Sequence, residues 1–170
     1  MEVTIREFRP EDVADAAAIW NEVVEEGVAF PQLDYLDLQT GMDFFLEQSF
    51  TGIACDENGH VMGLYILHPN NVGRCGHISN ASYAVRSTLR GQGIGQKLVA
   101  HCLDKAAELG FRILQFNAVV ASNTPALSVY RKLGFVQVGT IPGGFLMKDG
   151  SYQDITVHYH LLGEGSQSEA

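Results

Sequence analysis

The sequence predicts a single α/β domain, and three observations carry that prediction. Apolar residues recur first at strand and then at helical spacing, and the middle of the chain repeats the order strand, helix, strand, helix. The 170 residues, 46% hydrophobic and 18% charged, are enough to enclose one core and have the composition of a soluble globular protein. Finally, Arg90-Gly91-Gln92-Gly93-Ile94-Gly95 lies between a β-branched and aromatic run, residues 78–85, and an amphipathic run that starts near Gln96. Three glycines there mark a turn from strand to helix.

The elements follow in order. Residues 3–8 alternate as a strand, and Pro10-Glu11-Asp12 opens a helix whose apolar stripe includes Val13, Ala17, Trp20 and Val24, ending at Gly27. After a polar break over residues 31–34, a second helix carries Leu38, Met42, Phe45 and Leu46. Residues 51–55 and 61–67 form a hairpin through Asn58-Gly59, both of which tolerate positive φ. A loop over residues 69–73 leads to the strand at about 76–85, and the glycine-rich turn follows this fourth strand. The next helix carries Leu98, Cys102, Ala106 and Leu109, with Gly110 as its stop. Residues 113–120 form a strand, Asn123 or Thr124 caps a short helix with Pro125 in its first turn, and Gly134 ends it. Residues 135–141 and 153–162 are closing strands around Gly143-Gly144. Residues 163–170 have the composition of a disordered polar tail, which leaves 1–162 as the domain.

Composition excludes several function classes. A net charge of −9 leaves too few clustered cations for a nucleic-acid surface, although it suits a cationic substrate as well as simple solubility. No apolar run approaches the ~18 residues of a membrane span, so no membrane partner is expected. The N-terminus reads directly as a strand rather than a signal peptide, which points to the cytoplasm. Cys55, Cys75 and Cys102 show neither metal-ligand nor paired spacing and read as reduced thiols filling small apolar sites. No metal site is expected.

The glycine-rich turn predicts anion binding. Its backbone can approach a ligand closely, and the helix behind it presents unpaired N–H groups and the positive end of its dipole. A dinucleotide site is disfavoured because that turn follows the first strand of a parallel βαβ series. A triphosphate loop is disfavoured because Gly95-Gln96-Lys97 stands where Gly-Lys-Ser or Gly-Lys-Thr is needed. A ligand-free turn explains one glycine but not three beside Arg90.

Taken together, strand, Arg-x-x-Gly-x-Gly, helix, strand, Asn123-x-x-Ala126, and Tyr130-Arg131-Lys132-Leu133-Gly134-Phe135 resemble the GCN5-related N-acetyltransferase (GNAT) superfamily. The correspondence is close over residues 78–138, and the order of elements matches on both sides. The resemblance implies a mixed, mostly antiparallel sheet, splayed at its centre and flanked by helices. It implies that acetyl-CoA is the co-substrate, with its pyrophosphate on the backbone of Arg90, Gly91, Gln92, Gly93, Ile94 and Gly95 and the first turn at Gln96. The pantetheine arm would pair along Tyr83-Ala84-Val85 in the manner of an added strand. Relatives often dimerise through their terminal strands, so a homodimer is also implied.

Acetyl transfer needs a neutral amine, a polarised thioester carbonyl and a proton for the departing thiolate. By resemblance Tyr130 supplies that proton, and Asn123 hydrogen-bonds the pantetheine while also capping its helix. Otherwise Tyr130 reads as an ordinary half-buried aromatic. Many relatives carry a glutamate on the strand before the turn, yet Ile78-Ser79-Asn80-Ala81-Ser82 holds no carboxylate, so a water chain or an amine arriving neutral takes its place. Glu25, Glu26 and Asp34 lie where relatives build the acceptor pocket but read more readily as solvated charges. His77, His158 and His160 are candidate proton carriers by residue type alone, and the last two, on one face of the final strand, read as structural rather than catalytic.

A narrower similarity is to the azetidine-2-carboxylate (proline-analogue) N-acetyltransferases, through Ser79-Asn80-Ala81, Gln115-Phe116-Asn117-Ala118-Val119 and Ser122-Asn123. It implies that Asn80 and Asn117 contact a small amino-acid acceptor and that Asn123 serves acetyl-CoA and the reaction centre. The alternative is that Asn80 and Asn117 satisfy buried backbone groups where two strands part. The partner is then a small-molecule amine. A peptide N-terminus, a polyamine or an antibiotic amine remains the alternative acceptor, and a non-catalytic CoA-binding sensor the alternative function.

Overall fold

The computed structural model describes residues 2–163; the predicted tail from residue 164 onward lies outside them. Seven strands, β1 (Thr4–Glu7), β2 (Phe50–Cys55), β3 (Val61–Pro69), β4 (Ile78–Val85), β5 (Ile113–Val120), β6 (Val136–Leu146) and β7 (Tyr152–Leu161), make one sheet. Their order is β1-β2-β3-β4-β5-β7-β6. Every neighbouring pair is antiparallel except β4 with β5. Four helices cover it: α1 (Val13–Glu26), α2 (Leu38–Glu47), α3 (Ile94–Glu108) and α4 (Thr124–Lys132).

Two cores form, one on each face. Under α1 and α2, Trp20 packs against Phe30, Phe44 and Phe45 and closes over Ile53, Leu64 and Ile66. Beneath α3 and α4, Leu98, Cys102 and Ala106 meet Met62, Tyr65, Leu114 and Phe116. The start of α1 is pinned by a two-pronged ion pair, in which Arg6 donates to both Asp12 carboxylate oxygens at 2.8 and 2.9 Å.

Several local expectations need correction. Leu38 and Leu46 are 61% and 58% exposed, because α2 buries only the narrow face that carries Gly41 and Phe45. In the β2–β3 hairpin only Gly59 takes positive φ, and the Asp56 carboxylate organises the loop by accepting the N–H groups of Asn58 and His60. Gly143-Gly144 is not the closing turn. It sits inside β6 at a register shift, because a Cβ on Gly144 would come within 2.5 Å of the Ile155 side chain. The chain reverses instead near Asp149-Gly150, where Ser151 donates to the Asp149 carboxylate. Cys55 and Cys102 are buried as expected, but Cys75 is exposed.

One feature of the sheet positions the candidate site. β4 pairs with β5 only at Ile78 with Ile113 and Ser79 with Leu114, where the Ser79 hydroxyl also bonds the Ile113 carbonyl at 2.8 Å. β4 stays paired with β3 along its length, and β5 turns to β7. From residue 80 onward the two central strands part and leave a notch.

Candidate active site

The glycine-rich turn stands at the far end of β4. A 3-10 turn over Ser87–Leu89 leads into Arg90, and Gly91 and Gly93 both take φ of +81° before α3 begins. The helix therefore starts at Ile94 rather than near Gln96. A Cβ added at Gly91 or Gly93 would meet nothing within 4 Å, so the glycines are required by backbone conformation and face open space. Gly93 offers no side-chain cap, and the first helical bond in the turn runs from Lys97 N–H to the Gly93 carbonyl. The N–H groups of Ile94, Gly95 and Gln96 thus have no acceptor among the described residues, at the positive end of a 15-residue helix. The Arg90 guanidinium turns away from this turn to the Glu26 carboxylate.

Asn123 and Tyr130 are carried by α4, one at its cap and one near its end. Asn123 caps the helix, its side-chain oxygen accepting the Ala126 N–H at 3.4 Å, which leaves its amide nitrogen without a partner among the described residues. The half-buried Tyr130 ring packs on Phe116 of β5 with centroids 4.5 Å apart and lies against Phe135 and His158. Burial pushes the Tyr130 phenol well above its ordinary range, so it stays protonated at neutral pH. Tyr83 points into the same core, where its buried hydroxyl lies beside the Cys102 thiol and burial raises its phenol too. Burial likewise pushes the Cys102 thiol up to about 12. Ala84, by contrast, faces the core under α1 and α2. His160 bonds the Leu133 carbonyl and is structural; His158 is buried and desolvation keeps it neutral.

On the face toward α1 and α2 the parted strands carry amides. No hydrogen bond joins Asn80 to Asn117 among the described residues; both donate to the side-chain oxygen of Asn70, at 3.2 and 2.6 Å. Asn117 sits at a bulge, since three steps along β5 from Phe116 to Val119 oppose two along β7 from His158 to Thr156. Gln115 donates to the Asn117 oxygen at 3.0 Å. Asn70 escapes a reading of the sequence because Pro69-Asn70-Asn71 looks like any loop. Only the antiparallel pairing that sets Pro69 opposite Ser79 brings it beside Asn80.

The family model for the acetyltransferase (GNAT) family matches residues 16–135. The chain belongs to that family. Among relatives of this GNAT acetyltransferase, the N-acetyltransferase aca1 of Schizosaccharomyces pombe is 33% identical over 110 residues, which cover 64% of this chain and 53% of that protein. The chain thus matches only about half the length of aca1. The L-amino acid N-acyltransferase MnaT of Escherichia coli is 26% identical over 178 residues and is covered to 99%, as is this chain. A GCN5-related N-acetyltransferase from Kribbella flavida superposes with a TM-score of 0.87 at 30% identity, covering 94% of this chain and 98% of that one. A phosphinothricin acetyltransferase from Sinorhizobium meliloti, solved in complex with AcCoA, shares the fold with a TM-score of 0.89 at 23% identity, covering 98% and 92%.

GNAT acetyltransferases take their acetyl group from acetyl-CoA. The residues present fit that donor: two glycines leave open space beside the turn, the first N–H groups of α3 lie next to it, and the notch leaves one edge of β4 without a strand. The segment after α1 is fastened to the β6–β7 turn. Lys148 donates its backbone N–H to the Gly27 carbonyl at 3.0 Å and its ammonium to Glu25, which Tyr35 also engages. Glu25 and Glu26 are therefore partnered rather than simply solvated, whereas Asp34 lines a cavity of about 340 Å³ with Trp20, Tyr35 and Phe44. The sequence of β4 offers no carboxylate to act as base.

Proposed function

We propose that this acetyltransferase moves the acetyl group of acetyl-CoA directly to the amine of a small molecule, an amino acid or proline analogue. The observation that carries this reading is the joining of Asn80 and Asn117 through Asn70 at the point where β4 and β5 part. Acetyl-CoA supplies an acetyl thioester, already activated toward an amine. The backbone of Arg90 to Gly95, with the first turn at Gln96, holds the pyrophosphate. The open edge at Tyr83, Ala84 and Val85 pairs with the pantetheine amides, and the free amide nitrogen of Asn123 adds a donor.

Chemistry then asks little of the protein beyond position and one proton. The neutral amine forms the new C–N bond, the C–S bond breaks, and Tyr130 donates its phenolic proton to the departing thiolate. The proton lost by the amine leaves through water, there being no carboxylate on β4. Neutral amides around the acceptor favour this route, because a carboxylate beside the amine would hold it protonated. The name of MnaT, an L-amino acid N-acyltransferase, agrees with an amino-acid acceptor.

The protein is proposed to work as a homodimer in the cytoplasm. β6 is an edge strand exposed on both faces, with Val138 at 65% and Ile141, Leu146 and the neighbouring Tyr152 all uncovered. Free Cys55, Cys75 and Cys102 suit a reducing compartment. Ile141→Asp should convert a dimer to a monomer in sedimentation; a wild-type monomer contradicts the dimer.

The test of function is thiol release from acetyl-CoA across amino acids, proline analogues, polyamines and peptides. Release with small amino acids supports the reading, and release with polyamines or peptides alone overturns it.

A further inference from the structure

We propose that Asn70 is a positioning residue that makes the acceptor site an uncharged receptor for a carboxylate, by turning the amides of Asn80 and Asn117 so that N–H groups face the substrate. The inference rests on the acetyl-transfer reading above and narrows the acceptor to amines that bear a carboxylate.

The hydrogen-bond inventory of the cluster points this way. A side-chain amide carries two N–H donors and one oxygen. The Asn70 oxygen is occupied by Asn80 and Asn117, the Asn80 oxygen by the Ala81 N–H at 2.7 Å, and the Asn117 oxygen by Gln115. Every oxygen of the three asparagines is engaged. Of their six N–H groups two are used within the cluster, so four are left, two of them on Asn70. A cluster in which each oxygen already accepts a hydrogen bond, while four N–H groups have no partner among the described residues, favours an acceptor-rich, planar group. A carboxylate has two oxygens with about four lone-pair positions and donates nothing.

Placement makes the polarity durable. Asn70 follows Pro69 directly, and its backbone N–H bonds the Ile78 carbonyl at 2.8 Å, so its side chain springs from the paired end of β4. Asn117 is carried outward by the bulge of β5. The two strands part at this level, and Asn70 is the shared acceptor that spans them. Without its oxygen, each amide keeps a single hold, Asn80 through the Ala81 N–H and Asn117 through Gln115, and loses the second bond that fixes which way its N–H groups point.

The experiment compares amino acids with their carboxamides as acceptors, following thiol release with wild type and two variants. Asn70→Asp keeps the bridging oxygen but replaces two donors with an anionic acceptor. Its KM for amino acids should rise at least about tenfold, while KM for the carboxamides stays within about twofold and KM for acetyl-CoA is unchanged. Asn70→Ala should raise the amino-acid KM and reduce the preference for acid over carboxamide, with little change in kcat. An Asn70→Asp enzyme that keeps the wild-type preference overturns the inference. So does an equal loss on both acceptor types, which marks Asn70 as merely structural. A wild-type enzyme that releases no thiol with any carboxylate-bearing amine overturns the function reading together with this one.

Discussion

Arg90 donates two hydrogen bonds to the Glu26 carboxylate, at 2.6 and 2.5 Å, and so ties the last turn of α1 to the glycine-rich turn before α3. Those bonds hold the Glu26 carboxyl below its ordinary range and raise the guanidinium further. Both partners are more than a third exposed, so the pair adds little stability. Its consequence is electrostatic, because the one cation within the turn is neutralised by its partner. Glu26→Gln should therefore change stability by less than about 1 kcal/mol while lowering the acetyl-CoA KM about twofold to fivefold at low salt. Steady-state kinetics at two ionic strengths checks this; a KM that rises shows that Glu26 positions Arg90 for the donor.

Gly93 combines φ of +81° with open space on its Cβ side. Gly93→Val should cost about 1–2 kcal/mol in backbone strain and weaken acetyl-CoA binding at least about tenfold, while circular dichroism remains that of a folded domain. Calorimetry that finds unchanged affinity removes the turn from the donor site.

Tyr130→Phe keeps the ring stacked on Phe116 and removes only the hydroxyl. Turnover should fall about tenfold or more, and the acetyl-CoA KM should stay near the wild-type value. An unaltered kcat excludes Tyr130 as the acid.

Asp12 governs the acid limb of stability. Burial alone would raise its carboxyl, but the hydrogen bonds from Arg6 and from the Arg9 backbone outweigh this and hold it below the usual carboxylate range. A depressed folded value means that the pair's stabilisation is complete above the unfolded carboxylate pKa, about 3.9, and is lost as pH falls through the folded value. Asp12→Asn should cost about 1.5–3 kcal/mol at pH 7 and flatten the decline of stability below about pH 4. Equal acid sensitivity in both proteins would place that decline elsewhere.

Much of this was legible from the chain itself. Order of elements, the cap at Asn123 and the turn at Gly91 and Gly93 are local, each stated by a few adjacent residues. Gly143-Gly144 misleads because a glycine forced by the close approach of Ile155 looks, in sequence, like a glycine forced by a turn. Asn70 and the bulge at Asn117 are invisible for a different reason. Both arise from strand register, which is fixed by partners many residues away. The proposed donor side of the site is thus written locally, and the proposed acceptor side is written in pairing.

The most direct measurement of the central claim is the stoichiometry of product: thiol released from acetyl-CoA against N-acetylated amino acid identified by mass spectrometry, with wild type and Asn80→Ala. One acetylated amine per thiol is predicted, with Asn80→Ala raising the acceptor KM far more than that of acetyl-CoA. Thiol release without an acetylated small amine, or equal effects of Asn80→Ala on both substrates, contradicts the account.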